Sequence, residues 1–149
     1  MAISTTFCTS FKVDLLDGTF AGVTAESPNN TFKLAMFTSS ATLDATTTAY
    51  SATNEVTDTS SPQGYTAGGK FLVVAQVPTS TSTTAWLDFA DLVFSSVTLT
   101  ANGCLIYDTT NSNASMTTHA FGSDKSASAG DFTIVFPTAD SSNAIIRIA

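Results

Sequence analysis

The stretch Val93-Phe-Ser-Ser-Val-Thr-Leu-Thr-Ala-Asn-Gly-Cys-Leu-Ile-Tyr107 decides the fold class of this chain. From Val93 to Leu99 apolar and polar residues alternate, and a period of two places successive side chains on opposite faces of a β-strand. Asn102-Gly103 is a strong hairpin signal because both residues tolerate positive φ. The stretch therefore predicts two antiparallel strands joined by a tight turn.

The same alternation recurs on both sides of this stretch and is bounded by polar turns. Phenylalanines at alternating positions predict a core, and Pro78 is expected to end one strand because it cannot donate to a ladder. These core phenylalanines are Phe32, Phe71, Phe89, Phe132 and Phe136. The predicted strands lie near 31–38, 71–77, 84–89, 93–99, 104–107, 116–121, 132–136 and 145–148. About seven or eight short strands with frequent turns predict a mainly β chain, an antiparallel β-sandwich or barrel of jelly-roll or Ig-like type.

Two segments depart from the strand pattern within the single domain predicted over residues 1–149. Residues 1–18 predict a short amphipathic helix or arm, because Phe7, Phe11 and Leu15 recur at a spacing of four. Ser4, Thr5 or Thr6 is expected to cap its start and Gly18 to end it. Residues 39–69 are rich in small polar residues and predict a long loop, which in a compact domain is often a binding element or packs elsewhere.

The composition excludes several classes of function. The net charge is −7, and only five residues are Lys or Arg. Nucleic-acid binding needs clustered basic residues, and an anionic membrane surface is disfavoured for the same reason. The N-terminus lacks a basic and apolar leader, and no apolar run reaches the length of a membrane span, so we expect synthesis in a cytoplasm. Roughly three positions in ten are Ser or Thr, which predicts a polar but weakly charged surface.

No motif with catalytic specificity emerges, and we predict neither enzyme activity nor a cofactor or metal. His119 is the one histidine and lies in a predicted strand without a nucleophile elbow. Asp88 and Asp91 are interpreted as solvated acids at a strand end, with calcium as the alternative. The series Gly64 to Lys70 has the wrong spacing for a phosphate-binding loop and is interpreted as a turn.

The two cysteines, Cys8 and Cys104, are far apart and form no C-x-x-C pair. Two buried thiols are the favoured interpretation in a cytoplasmic setting. A disulfide bond is the alternative, and it requires the N-terminal segment to lie directly on the strand that holds Cys104.

Several strings resemble a family of small virion structural proteins of tailed bacteriophages. They are Phe11-Lys-Val-Asp-Leu-Leu-Asp-Gly18, Thr31-Phe-Lys-Leu-Ala-Met-Phe-Thr-Ser-Ser40, Gly64-Tyr-Thr-Ala-Gly-Gly-Lys70, Gly130-Asp-Phe-Thr-Ile-Val-Phe-Pro137 and Asn143-Ala-Ile-Ile-Arg-Ile-Ala149. The resemblance implies a virion part, and family members tend to have Trp near Phe94 and Arg near Asn102, where this chain differs.

The leading expectation is a capsid decoration (cement) protein on the outer capsid surface of a virion, away from packaged DNA. Its partners would be the major capsid protein and further copies of itself around a symmetry axis, for which a trimer is one arrangement. The expected contact residues lie in the N-terminal segment and the long loop: Phe7, Phe11, Leu15, Tyr50 and Tyr65.

Two alternatives remain open. One is a tail or fibre-associated component of the same material. The other is a carbohydrate-binding module or hydrolase, which predicts clustered aromatic residues or converging carboxylates. Trp86 is the one tryptophan, and the three tyrosines are dispersed along the sequence, which disfavours that alternative.

Overall fold

The computed structural model describes residues 2–19 and 32–149. Within these residues the chain is mainly β, with eight strands in two antiparallel sheets and one short helix. This confirms the predicted mainly β class with antiparallel sheets. The elements are β1 (Thr6–Phe7), α1 (Thr9–Asp17), β2 (Phe32–Phe37), β3 (Lys70–Phe71), β4 (Val74–Thr81), β5 (Thr84–Phe89), β6 (Leu92–Asp108), β7 (Ala114–Ile134) and β8 (Ile146–Ile148).

The chain divides into two compact units, each with its own sheet. The larger unit is built mainly around the five-stranded sheet, ordered β1-β7-β6-β2-β3, and the smaller around the three-stranded sheet, ordered β4-β5-β8. Of the described residues, the larger unit contains 2–19, 32–71 and 94–132, and the smaller contains 72–93 and 133–149. The single domain predicted over 1–149 stays a prediction.

The centre of the larger unit is the antiparallel pair β2 and β6. Their register runs from Phe32 opposite Asp108 to Phe37 opposite Gly103. Five of the six side chains of β2 are buried, which accounts for its almost continuous apolar sequence. The predicted strand over 31–38 is therefore observed as Phe32–Phe37, while Thr31 lies outside the described residues.

The turn predicted at Asn102-Gly103 is wrong, because both residues lie inside β6. The glycine serves close packing: a Cβ on Gly103 would lie 2.5 Å from the carbonyl oxygen of His119 and 2.7 Å from the Ile3 side chain. The Asn102 amide donates to Asp124 Oδ1 at 2.8 Å, across to β7. The reversal instead lies at 109–113, between β6 and β7.

Two further predictions fail at sheet edges. Phe71 is predicted to lie in the core but is 53% exposed, because β3 is a two-residue edge strand. The ammonium group of Lys33 lies 4.6 Å from the centre of its ring. Pro78 does not end its strand but lies within β4, at the edge of the smaller sheet, where the register shifts between Gln76 and Thr79. Phe32, Phe89, Phe132 and Phe136 are buried as predicted.

The N-terminal helix begins later in the sequence than the polar residues that were predicted to cap it. Thr6 and Phe7 form β1 and pair with β7, so the helix starts after Cys8, which gives no side-chain cap. The cap predicted at Ser4, Thr5 or Thr6 is therefore wrong. Gly18 ends the helix at φ 77°, the left-handed conformation that favours glycine, as predicted.

Candidate interaction surface

One face of α1 carries apolar side chains that the chain leaves in contact with solvent. Leu16 is 90% exposed and Val13 is 52% exposed. Residues three apart in a helix lie on one face, so these two side chains are neighbours. Lys12 and Asp17 flank them and are also exposed. We call Val13 and Leu16 with these flanking charges the α1 face.

Of the predicted contact residues of the N-terminal segment, Phe7 lies in β1, and Phe11 and Leu15 lie on the side of α1 away from the α1 face. Phe11 is 4% exposed, and its ring centre lies 5.8 Å from that of Phe7, which is half-buried. Leu15 is 38% exposed. Phe11 is therefore part of the chain's own packing. Leu16 is five residues after Phe11, about 140° around the helix, and this arithmetic could have identified the outward residue.

The predicted contact residues of the long loop, Tyr50 and Tyr65, meet at a single carboxylate. Tyr50 donates its hydroxyl hydrogen to Glu55 Oε2 at 2.6 Å, and Tyr65 donates to Oε1 at 2.5 Å. The Gly68 amide also donates to Oε1, at 2.8 Å, and Tyr107 donates to the Gly68 carbonyl at 2.7 Å. We call these five residues the Glu55 cluster.

The Glu55 cluster faces inward. Tyr65 is 3% exposed and Tyr107 is 2% exposed, while the Tyr50 ring stacks on that of Tyr107 with centres 4.7 Å apart. Burial raises the pKa of Tyr107 to about 12, and burial with the Glu55 hydrogen bond raises the pKa of Tyr65 further. All three tyrosine hydroxyls are neutral and donate hydrogen bonds, so the Glu55 cluster connects the long loop to the five-stranded sheet.

The gathering of the three tyrosines corrects the expectation that they are dispersed. The sequence signal that could have located their centre is Glu55 itself, the one charged residue between Asp44 and Asp58 in a Ser- and Thr-rich segment. A sugar platform needs exposed rings with free polar edges, whereas these hydroxyls are already engaged within the chain.

A second carboxylate, which is buried, anchors the end of the same loop. Asp58 accepts hydrogen bonds from the amides of Ser60 and Thr98 on Oδ1 and from those of Gly64 and Tyr65 on Oδ2, at 2.8 to 3.0 Å. Burial opposes its ionisation, but these donors and the Ser60 hydroxyl outweigh burial and hold the pKa of Asp58 below its ordinary value. The loop predicted at 39–69 contains no named strand, and these two carboxylates fix it.

Asp88 and Asp91 were both predicted to be solvated, and the structure contradicts this prediction for Asp88 only. Asp88 is 0% exposed, while Asp91 is exposed and accepts from the Phe136 amide at 2.9 Å. Burial raises the pKa of Asp88. Among residues 2–19 and 32–149 no three His, Cys, Asp or Glu side chains come together as metal ligands would.

The single histidine and the two cysteines lie apart from one another in the larger unit, with His119 half-buried and both cysteines buried. His119 Nε2 lies 3.2 Å from Thr117 Oγ1, and burial lowers its pKa to about 4. Cys8 and Cys104 are buried free thiols, as the favoured interpretation predicted. Burial raises their pKa values to about 11 and about 12. In the described part of the chain, the single helix is too short and too polar to cross a membrane.

Comparison with known proteins gave no match to a family model, to a curated protein or to a solved structure.

Proposed function

We propose that this chain is a capsid decoration protein of a tailed bacteriophage, which binds the outer capsid surface and stabilises the shell. The observation that carries the proposal is the α1 face, where Leu16 is 90% exposed and Val13 is 52% exposed. Apolar side chains side by side on a short helix mark a contact surface for a partner. The occupant is the major capsid protein.

The charge and the strings of residues described above support the same function. A net charge of −7 disfavours contact with packaged DNA and suits the outside of a shell. The resemblance to small virion proteins spans nearly the whole chain. The Glu55 cluster and Asp58 give the long loop a fixed shape, and a fixed loop loses less conformational entropy on docking than a free one.

The test is binding of purified protein to phage capsids assembled without it. Wild-type protein is expected to saturate at sites related by capsid symmetry. The Leu16→Asp variant is expected to bind at least about tenfold more weakly, because it places a carboxylate where a leucine would be buried. Val135→Asp is the matched control, since Val135 is 73% exposed and belongs to the smaller unit.

Two results would end the proposal: no saturable binding of the wild type, or equal binding by Leu16→Asp. Loss of binding by Val135→Asp alone is an instance of the second result and would show that the contact lies outside α1. A tail component is separated by copy number, because a shell protein is present in hundreds of copies per virion and a tail part in a dozen or fewer.

A further inference from the structure

The three-stranded sheet of the smaller unit contains a fully buried carboxyl group. Asp88, in β5, is 0% exposed. Its Oδ1 accepts from the Phe89 amide at 2.8 Å. Its Oδ2 is buried and has no hydrogen-bond partner. A buried oxygen without a donor makes the ionised form costly, because nothing replaces the water that it loses.

The charged groups around Asp88 add to this cost. Asp91, after β5, and Asp140, before β8, both disfavour its ionisation. β4, which pairs with β5 on one side, has no ionisable side chain, and β5 has none besides Asp88 itself. β8 supplies Arg147, whose guanidinium donates to the Ser142 carbonyl and acts on Asp140. The Phe89 amide favours the ionised form, but burial and the two neighbouring acids outweigh it and raise the pKa of Asp88.

Asp88 lies where the last strand begins. β8 joins the sheet through β5, with Leu87 opposite Ile146 and Ala85 opposite Ile148. Continuing this register places Asp88 opposite Ile145, the residue just before β8. A change in the charge of Asp88 therefore acts on the junction that holds β8 in place.

We propose that Asp88 is a pH-sensitive lock of the smaller unit, which holds β8 on β5 while its carboxyl group is neutral and loosens that junction when it ionises. This goes beyond shell binding and does not depend on it. It also gives the smaller unit a response opposite in sign to that of an ordinary salt-bridged acid.

The direction of the response follows from linkage. A carboxyl group with a raised folded pKa stabilises fully below its unfolded value, about 3.9, and that stability is lost as the pH rises through the folded pKa. Burial, followed by Asp140 and Asp91, is the cause of the rise at Asp88. β8 is therefore expected to open more readily as the pH rises.

The experiment combines two measurements on the whole chain between pH 3 and 8. A carbon NMR titration follows the Asp88 carboxyl group, and amide hydrogen exchange, corrected for intrinsic rates, follows Ile146 and Ile148. The titration is expected above the ordinary Asp value. The opening of β8 is expected to increase about tenfold for each pH unit between that ordinary value and the folded pKa, and to level off above it. Asp88→Asn is expected to remove the pH dependence, and the exposed Asp124→Asn is expected to keep it.

Three results would overturn the proposal. They are titration of Asp88 at or below the ordinary value, exchange at β8 that does not depend on pH in the wild type, and an unchanged dependence in Asp88→Asn. If Asp88→Asn does not fold, the carbon titration and the β8 exchange of the wild type decide together.

Discussion

The Tyr65 hydroxyl lies 2.5 Å from Glu55 Oε1, and the same oxygen of Tyr65 accepts from the Met36 amide of β2 at 2.9 Å. One phenol therefore connects the carboxylate of the long loop to the backbone of the central strand. Glu55 is itself opposite Phe37 in an isolated bridge, so backbone and side chain hold the loop at the same place.

Replacing the carboxylate should loosen this connection. Glu55→Gln is expected to lower the free energy of unfolding by about 2 kcal/mol, because hydrogen bonds to a charged group are worth roughly 1.5–3 kcal/mol each and the amide group supplies a donor where an acceptor is needed. The measurement is denaturant unfolding, with peptide-level hydrogen exchange over residues 45–69. Unchanged stability and exchange would show that the cluster does not fix the loop.

A double-mutant cycle tests whether the energy belongs to the contact. Coupling between Glu55→Gln and Tyr65→Phe is expected to be about 1 kcal/mol or more. Tyr107→Phe is the control, because Tyr107 donates to the Gly68 carbonyl and not to the carboxylate. Equal coupling in both cycles would contradict the assigned contact.

Gly69 is expected to be intolerant of alanine. Its φ is +68°, and an added Cβ would overlap the backbone carbonyl of Leu34, which cannot give way inside the sheet. Gly69→Ala should cost about 3 kcal/mol or more. Gly122→Ala is a matched control with φ +77° and open space around the Cβ, and it should cost only about 1 kcal/mol. Similar melting temperatures for the two variants would exclude the overlap.

His119 should lower the free energy of unfolding in mild acid. Burial lowers the pKa of His119 in the folded chain to about 4. As the pH falls below about 6.5, the ordinary pKa of histidine, the unfolded chain therefore binds a proton before the folded chain does. The contribution of His119 to stability is expected to fall by about 2.5 kcal/mol as the pH drops from 6.5 to 4, opposite in sign to the response of Asp88. No other histidine contributes, because the chain has one. His119→Gln should flatten this part of the stability profile, and a retained slope would assign it to other groups.

The two cysteine thiols should be inert in the folded chain. Cys8 is 0% exposed and Cys104 is 2% exposed, and burial raises their pKa values to about 11 and about 12. A thiolate is the reactive form, so DTNB at pH 8 is expected to release no chromophore until denaturant is added, and then two equivalents. Rapid reaction of either thiol in buffer would contradict the burial.

Periodicity predicted the class of fold because alternation is a local property of each strand. It also predicted β5 and the glycine that ends α1. It failed at Asn102-Gly103 and at Pro78, because both can lie at a turn or within a strand. Pairing with the neighbouring strand decides between these two positions. Gly103 leaves room for the backbone carbonyl of His119 on the neighbouring strand, and a short stretch of sequence around Gly103 does not reveal this contact.

The candidate site was only partly predictable for the same reason. The spacing of Phe11 and Leu15 located the helix, but the buried side was interpreted as the contact side. The outward position of Leu16 follows from helix geometry once the start of the helix is known. Glu55 joins two tyrosines that are fifteen residues apart in sequence, and such convergence depends on the path of the loop.

Asp58 offers the sharpest test of how the loop is held, because its pH response is opposite to that of Asp88. Asp58→Asn should destabilise the chain at pH 7, since Oδ2, which accepts from Gly64 and Tyr65, becomes an amide nitrogen that faces two donors. The folded pKa of Asp58 lies below the ordinary value, so its stabilisation is present above about pH 4 and is lost as the pH falls through the folded pKa. The difference in unfolding free energy between wild type and variant should therefore shrink in strong acid. Asp124→Asn, at an exposed acid that accepts from Asn102, should change stability by less than about 0.5 kcal/mol. A wild-type-to-variant difference at Asp58 that stays constant down to pH 2 would show that the carboxylate charge does not hold the loop.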